Sequence, residues 1–493
     1  MSRLRGAGIA VWLLATLLIW QSAWLSDDAL ITVRSAVNLG SGYGPVFNID
    51  EAVAAYTHPL WFMLITAVGT LTGSWIYGVL YLNVLCASAG YFLLIRRVAN
   101  WWQLVTIGLI VVLGNTALDW ATSGLEGGLT LLLLGLLASI RVRHRPVLLG
   151  LIVGLLLLCR LDYALLLGPW VLVMGLDLRW SGRVRLLVGA IVPVAAWAVW
   201  AKLTYGFVLP ATLEAKTNSD IPLPDLVGRG LQYVHQSATY DPVLVMVCLV
   251  FIPLLWMAGD RQSKAWIVGV GAYVLYVISV GGDYMLGRFM LAPLFVCLLE
   301  MTRTGLPRPL ANRTWVSTSL LWGVTVGIAV VCVVNTRAFD WRVTEDQGDP
   351  RYPYFADERI GWTHWGRSLD PFSMVERRPP FYPTDLPFLA EQTANWPSNA
   401  STTEDPIVIC HGLGGMGLLV GPSVHIIDPC GLSDRFMASL PYTPTGVWKA
   451  GHFDRPVPEG YVAAVKYNDP GEVEDEQLAA RLAELWDTIR QGR

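Results

Sequence analysis

Charge is what this sequence has least of. Only 15% of its 493 residues are Asp, Glu, Lys or Arg, against about 25% in a typical soluble domain. That deficit excludes an ordinary water-soluble globule. No basic run is long enough to track a nucleic acid, and the net charge of −3 favours no polyanionic partner. A clear small-x-small cleavage site is also missing after "MSRLRGAGIAVWLLATLLIWQSAW", so this stretch reads as a retained first helix. Cysteine is scarce: five of the seven, Cys86, Cys159, Cys248, Cys297 and Cys332, lie in apolar stretches, where a thiol packs as a small hydrophobe. No internal repeat is visible.

What is abundant is apolar sequence, 54% of the chain, together with 22 tryptophans, a residue that concentrates at membrane–water interfaces. The expected fold is an α-helical polytopic membrane protein. Candidate crossings run near 7–24, 75–95, 102–118, 128–140, 147–162, 163–178, 187–203, 243–259, 265–280, 288–301 and 315–334. Lys and Arg favour cytoplasmic loops. Arg3 and Arg5, Arg96 and Arg97, "RVRHR" at 141–145, "RWSGRVR" at 179–185, Arg261 and Lys264, and Arg303, Arg308 and Arg313 all fall on one side if eleven segments cross. The apolar stretch "PLWFMLITAVGTLT", 59–72, would invert every later loop if it crossed. It reads as re-entrant or interfacial; a short true crossing is the alternative.

This parity puts the N-terminus in the cytoplasm and the tail outside it. Two regions are expected: a bundle over 1–334, whose first outer loop spans 25–74, and an extracytoplasmic α/β domain over 335–493. The tail holds the last two cysteines, Cys410 and Cys430. In an oxidising compartment a lone pair suggests a disulfide; two separately buried thiols are the alternative.

With orientation set, unusual polar residues gather on the outer side. Asp27 and Asp28 are read as ending the first helix. "TSGLEGG" carries Glu126, "CRLDY" carries Arg160 and Asp162, "TYGFVLPATLEAK" carries Glu214 and Lys216, and "GGDYMLGR" carries Asp283 and Arg288. Ionisable groups near membrane depth are costly and usually face a cavity or pair with one another. Arg160 with Asp162, and Asp283 with Arg288, are as readily structural ion pairs as ligand sites. Acids and bases from five segments on one face are harder to explain as anchoring. Arg and Lys bind phosphate, and a carboxylate takes a proton from an attacking hydroxyl or stabilises an oxocarbenium-like sugar. The chemistry suggested is transfer from a lipid-linked phosphate donor.

The pieces "DDALITVRSAVNLGSGYGPVFN", "YTHPLW", "SGLEGG", "YGFVLPATLEAK", "GGDYMLGRFMLAP" and "IDPCGLSD" recur between residues 27 and 434. Together they resemble the polyprenyl-phosphosugar-dependent glycosyltransferases of the membrane-embedded GT-C fold. The nearer resemblance is to the terminal arabinofuranosyltransferases of mycobacterial and corynebacterial cell walls and the related flagellar-motor-control-like membrane proteins. It implies a multi-pass enzyme of the bacterial plasma membrane with a decaprenyl-phosphoryl-arabinofuranose donor and a cell-envelope glycan acceptor. It also implies that the first outer loop carries the catalytic aspartate, here Asp28, with Asp27 beside it. Arg288, Lys216 and Arg160 become candidates for the donor phosphate. Arg34, His58, Glu126, Asp162, Glu214, Asp283 and Tyr284 become candidates for the cavity. One departure is Leu161, where relatives often show proline.

Other readings stay in view: a related transferase acting on lipopolysaccharide or a pilin with another sugar, a transporter, or a non-catalytic assembly factor. Two adjacent carboxylates are also a candidate site for a divalent cation. In the tail, "CHGLGGMGLLVG" places Gly412, Gly414 and Gly417 in a G-x-G-x-x-G pattern. A dinucleotide reading is set aside, because no acid sits at a convincing distance for a ribose and soluble dinucleotides are scarce outside the cytoplasm. A tight strand–helix turn is the plainer expectation. His411, His425 and His452 are too scattered in sequence for a metal claim.

Overall fold

The computed structural model describes residues 2–140, 145–304, 314–336, 354–359, 386–396, 405–444 and 446–490. Arg141, Arg143, Arg308 and Arg313 lie outside the described residues. Helices dominate what is described. α1 (Ser2–Gln21), α2 (Asp27–Gly40), α3 (Pro59–Thr72), α4 (Trp75–Ile95), α5 (Trp101–Leu113) and α6 (Asn115–Asp119) come first. α7 (Gly127–Ser139), α8 (Pro146–Cys159), α9 (Tyr163–Leu176), α10 (Trp180–Tyr205), α11 (Ala211–Thr217) and α12 (Leu223–Tyr240) follow. α13 (Val243–Met246) runs through a π-helical turn into α14 (Ile252–Ala258), and α15 (Arg261–Ser279), α16 (Leu291–Arg303) and α17 (Thr314–Asn335) complete the apolar series.

Among the described residues, three helices, α1, α4 and α10, are long and apolar enough to cross a membrane on their own. Helix α12 and the α13–α14 segment pass that test together but are bent by 105°. The bend follows from Asp241–Pro242: proline lacks an N–H and disfavours helix before it. The Asp241 carboxylate caps the new start by accepting from Val243 N at 3.2 Å. Helices α3, α5, α7, α8 and α9 are apolar but only 13 or 14 residues long. Such a helix reaches roughly 20 Å, about 10 Å less than a hydrocarbon core.

Small residues let the helices approach closely, as apolar surfaces in lipid require. A Cβ on Gly150 of α8 would stand 2.1 Å from Leu186 O of α10, and one on Gly189 of α10 would stand 2.4 Å from Val147 O. Gly269 of α15 meets Leu166 O of α9 in the same way, at 2.1 Å.

The tail contributes α18 (Leu386–Ala394), β1 (Ile407–Val408), α19 (Leu413–Leu419), β2 (Ile426–Ile427), α20 (Arg435–Ser439), α21 (Tyr461–Tyr467) and α22 (Glu476–Ile489). The two strands pair in parallel, Ile407 opposite Ile426. Cys410 and Cys430 are joined as a disulfide, their Cα atoms 5.3 Å apart. The described tail shares its cores with the rest of the chain. Ile31 and Phe47 of the first loop are buried with Leu413, Ile426 and Leu432, and Val53, Ala211 and Ala215 with Phe436, Tyr461 and Trp486.

The glycine pattern is explained by this docking. A Cβ on Gly414 would stand 2.1 Å from Asp27 O, and one on Gly417 would stand 2.9 Å from Phe47 Cζ and 3.0 Å from Arg34 Cδ. Glycine is needed so that α19 can lie against α2.

Candidate active site

Ser26 starts the site. Its backbone is extended and its hydroxyl accepts from Ala29 N, so α2 begins at Asp27. The two aspartates therefore open the second helix and do not end the first, which stops at Gln21. The physical reason is local. A serine N-cap satisfies an unpaired N–H, and carboxylates are favoured in a first turn where the helix dipole is positive.

The two carboxylates have different surroundings. Asp27 is buried and accepts from Gly414 N at 3.1 Å and Gly415 N at 2.8 Å, at the start of α19. Burial pushes its carboxyl up to about 6, the two N–H groups oppose this, and the charge of Asp28 adds to it. Asp28 keeps 23% of its side chain exposed and meets Arg288 Nη1 at 3.1 Å. The same nitrogen lies 3.4 Å from Asp283 Oδ2. Burial raises the Asp283 carboxyl, with Arg288 and Lys216 pulling the other way.

A second polar chain runs beside the first. Thr32 Oγ1 lies 2.9 Å from His58 Nε2. His58 Nδ1 is 3.2 Å from Glu126 Oε2, and Arg160 Nη1 is 3.3 Å from Glu126 Oε1. Arg160 also grips Asp162 through Nε at 3.0 Å and Nη2 at 2.5 Å. Burial alone would raise the Glu126 carboxyl, but His58, Arg288 and Arg160 hold it well below the ordinary carboxylate range. Glu126, Arg160 and Arg288 line a small open cavity with Trp120, Tyr163 and Phe289. Arg288 Nε is buried there without a hydrogen-bond partner among the described residues.

Lys216 enters from α11. It is more than a third exposed while lying deep among protein atoms, which places it on an open recess. Burial lowers its ammonium, and Asp283 and Asp28 oppose that. Tyr284 is buried and donates to Glu358 Oε1 at 3.3 Å.

Two expected cavity residues sit elsewhere. Arg34 donates to the backbone carbonyls of Phe47 at 2.8 Å, Val424 at 3.1 Å and Gly417, stapling the first loop to the tail. Glu214 pairs with Arg435 of α20 at 2.8 Å. Both serve the loop–tail junction, because each finds its partners in backbone or charge supplied by the tail. "IDPCGLSD" is likewise a shaping element. Asp428 accepts from Cys430 N at 2.9 Å and Ser433 N at 2.8 Å, and Asp434 caps α20 by accepting from Met437 N at 3.0 Å.

Sequence reasoning missed the tail histidines. His452 lies edge-on to Tyr284, ring centroids 4.3 Å apart, and stacks on His411 at 5.7 Å. Lone histidines scattered through a polar tail gave no signal of this. Nor did the motifs single out Asp119, which is buried against Arg359 and Tyr240.

Among the described residues, the His, Cys and carboxylate groups close enough to share an ion are Cys410–His411–His452, Cys410–Asp428–Cys430 and Asp50–Glu51–His425. The first two use disulfide sulfurs, and in the third Glu51 pairs with Arg490 at 2.7 Å. Asp27 and Asp28 offer no shared ligand set, since one is engaged by backbone N–H groups and the other by Arg288.

The fold and site together define a class: a mostly helical chain of membrane-protein type, with a charged cavity built where loops and tail meet. Among curated proteins the chain is similar to the terminal beta-(1->2)-arabinofuranosyltransferase of Mycobacterium tuberculosis, 32% identical over 332 residues, 57% of this chain and 52% of the relative. It is also similar to the protein of the same name from Corynebacterium glutamicum, 28% identical over 421 residues, 74% of this chain and 58% of the relative. The chain thus spans little more than half the length of the curated relatives it matches. No protein-family model matches it, and no solved structure matches it.

Proposed function

We propose that the chain is a membrane glycosyltransferase that moves a pentofuranosyl residue, arabinofuranosyl by its similarity to the two relatives, from a polyprenyl phosphate to a cell-envelope glycan on the extracytoplasmic face of a bacterial plasma membrane. The observation that carries this reading is Arg288. It bridges Asp28 and Asp283, lines the cavity with Arg160, and keeps Nε buried with no partner among the described residues. A buried guanidinium with a spare donor suits a phosphate oxygen.

In this reading the donor phosphate lies against Arg288 and Arg160, with Lys216 on the adjoining recess. The bond between the sugar's anomeric carbon and the phosphate oxygen breaks, and polyprenyl phosphate leaves with the electron pair. The acceptor hydroxyl oxygen bonds to the anomeric carbon, and Asp28 takes the hydroxyl proton. His58 and Glu126 hold Arg160 in place from behind. The short helices α7, α8 and α9 stop below the full depth of a bilayer, which supports a recess that a lipid-borne phosphate can reach from the side.

The test is to incubate purified protein with synthetic polyprenyl-phosphoryl sugars and an arabinan oligosaccharide. Acceptor-dependent release of polyprenyl phosphate from the arabinofuranosyl donor is the expected result. Release from none of the donors would overturn the reading.

A further inference from the structure

We infer that the tail supplies the acceptor side of this site through His452, whose ring nitrogen hydrogen-bonds a hydroxyl of the incoming glycan beside Asp28. The inference rests on the transferase reading for its chemistry, though its geometry stands alone.

His452 sits in a tight turn. Its N–H donates to Lys449 O at 3.0 Å, and Gly451 before it has a φ of +84°. Gly451 is favoured by its backbone and packs closely on Lys216. The left-handed backbone disfavours a side chain, and a Cβ there would stand 3.1 Å from Lys216 Cε and 3.2 Å from Lys216 Nζ. The turn is therefore pressed against the recess that Lys216 lines.

The ring is fixed on two sides. Tyr284 presents its ring at 74° to that of His452, and His411 stacks nearly parallel, at 8°. Tyr284 is two chain positions before Leu286 in the outer turn that also carries Asp283 and Arg288. A ring clamped by two aromatic neighbours loses little further freedom on binding, which favours a directional hydrogen bond. His452 Nδ1 is buried and has no hydrogen-bond partner among the described residues. Such an orphan costs about 1–3 kcal/mol when nothing satisfies it, so it asks for a ligand.

The charge state agrees. Burial, with His411, Lys216 and Lys449 nearby, pushes the imidazole down to about 3, against the pull of Asp28. At neutral pH the ring is uncharged, one nitrogen donating and the other accepting. A neutral ring that both donates and accepts matches a sugar hydroxyl, which does the same. Tyr284, which meets the ring, follows Asp283, and Asp283 shares Arg288 Nη1 with Asp28, which puts the ring on the same recess as the proposed base.

The experiment compares full-length wild type with His452→Phe and His452→Asn. Phenylalanine keeps the ring contacts and deletes the nitrogens, and asparagine returns a donor and an acceptor near Nδ1. Binding of a short arabinofuranose oligosaccharide is measured by saturation-transfer NMR titration, and binding of a polyprenyl-phosphoryl sugar by tryptophan quenching. The expected result is roughly tenfold weaker oligosaccharide binding in His452→Phe, in line with one lost hydrogen bond, partial recovery in His452→Asn, and donor affinity held within about twofold in both. Equal oligosaccharide affinity in wild type and His452→Phe would overturn the inference, as would absence of oligosaccharide binding to wild type. If oligosaccharide binding depends on His452 while no donor is ever cleaved, the acceptor site stands and the transferase reading falls.

Discussion

Asp27 and Asp28 are neighbours in different surroundings, and two substitutions separate the roles proposed for them. Asp28→Asn keeps the shape at Arg288 and removes the proposed proton acceptor. Turnover should fall by roughly 10²–10⁴-fold, with donor affinity retained. Asp27→Asn still offers an oxygen to Gly414 N or Gly415 N and removes a buried charge, so most activity should survive. If Asp27→Asn is as inactive as Asp28→Asn, the anchoring role given to Asp27 is wrong. The pH dependence gives a second check. The Asp27 carboxyl is raised in the folded state to about 6, from about 3.9 in an unfolded chain. A raised carboxyl stabilises the fold fully below the unfolded value, and that contribution is lost as pH rises through about 6. The melting temperature of wild type, relative to Asp27→Asn, should therefore decline between about pH 4 and pH 6. A difference that stays flat over that window would show that Asp27 does not titrate there.

At the scale of elements, the docking of α19 on α2 is the contact most exposed to a single change. Gly414→Ala places a Cβ 2.1 Å from the Asp27 carbonyl oxygen, and backbone cannot step aside as a flexible side chain can. The expected cost is about 1–3 kcal/mol or more, read as earlier proteolysis of the tail and a lower melting temperature. Gly168→Ala, with nothing within 4 Å, is the control and should leave both unchanged. Opening the Cys410–Cys430 link with Cys430→Ser should cost about 3 kcal/mol in the chain-entropy account, seen as a loss of the difference between reduced and oxidised melting. The apolar helices were legible in sequence because unbroken hydrophobic runs mark them; α3 and α4 begin and end where the runs do. Helices α2 and α12 were not, since each mixes polar and apolar positions and reads as loop in a search for crossings. The ion pairs of Arg160 with Asp162 and Arg288 with Asp283 were legible from spacing. His452 was not, because its neighbours Tyr284, Lys216 and His411 are brought to it only by the fold.

For the whole molecule, the ion pairs bear on which helices cross. His58 stands at the start of α3, and Glu126 follows α3, α4, α5 and α6 in the chain, yet the two side chains are 3.2 Å apart. If α3 crossed the membrane along with α4 and α5, an odd number of crossings would separate them and put them on opposite faces. With α3 lying at the interface, two crossings separate them and the contact is natural. The same parity holds onward. Helices α7 and α8 separate Glu126 from Arg160, which touch at 3.3 Å. Helices α9 and α10 separate Arg160 from Lys216, and the α13–α14 segment with α15 separates Lys216 from Arg288. Helices α16 and α17 separate Arg288 from the tail, whose His452 meets Tyr284. If each of these helices crosses, the short ones included, every step is even, and the proposed topology puts the whole cluster on one face with the tail and the N-terminus on the other. The basic residues that precede α1, Arg3 and Arg5, favour the cytoplasm for that end. The expected outcome is an active alkaline phosphatase fused after residue 490, and a dark green fluorescent protein at the same point. An inactive phosphatase with a bright fluorescent fusion would break the parity. The crossing count and the extracytoplasmic placement of Asp28 would then fall together, since every contact used here ties that residue to the tail.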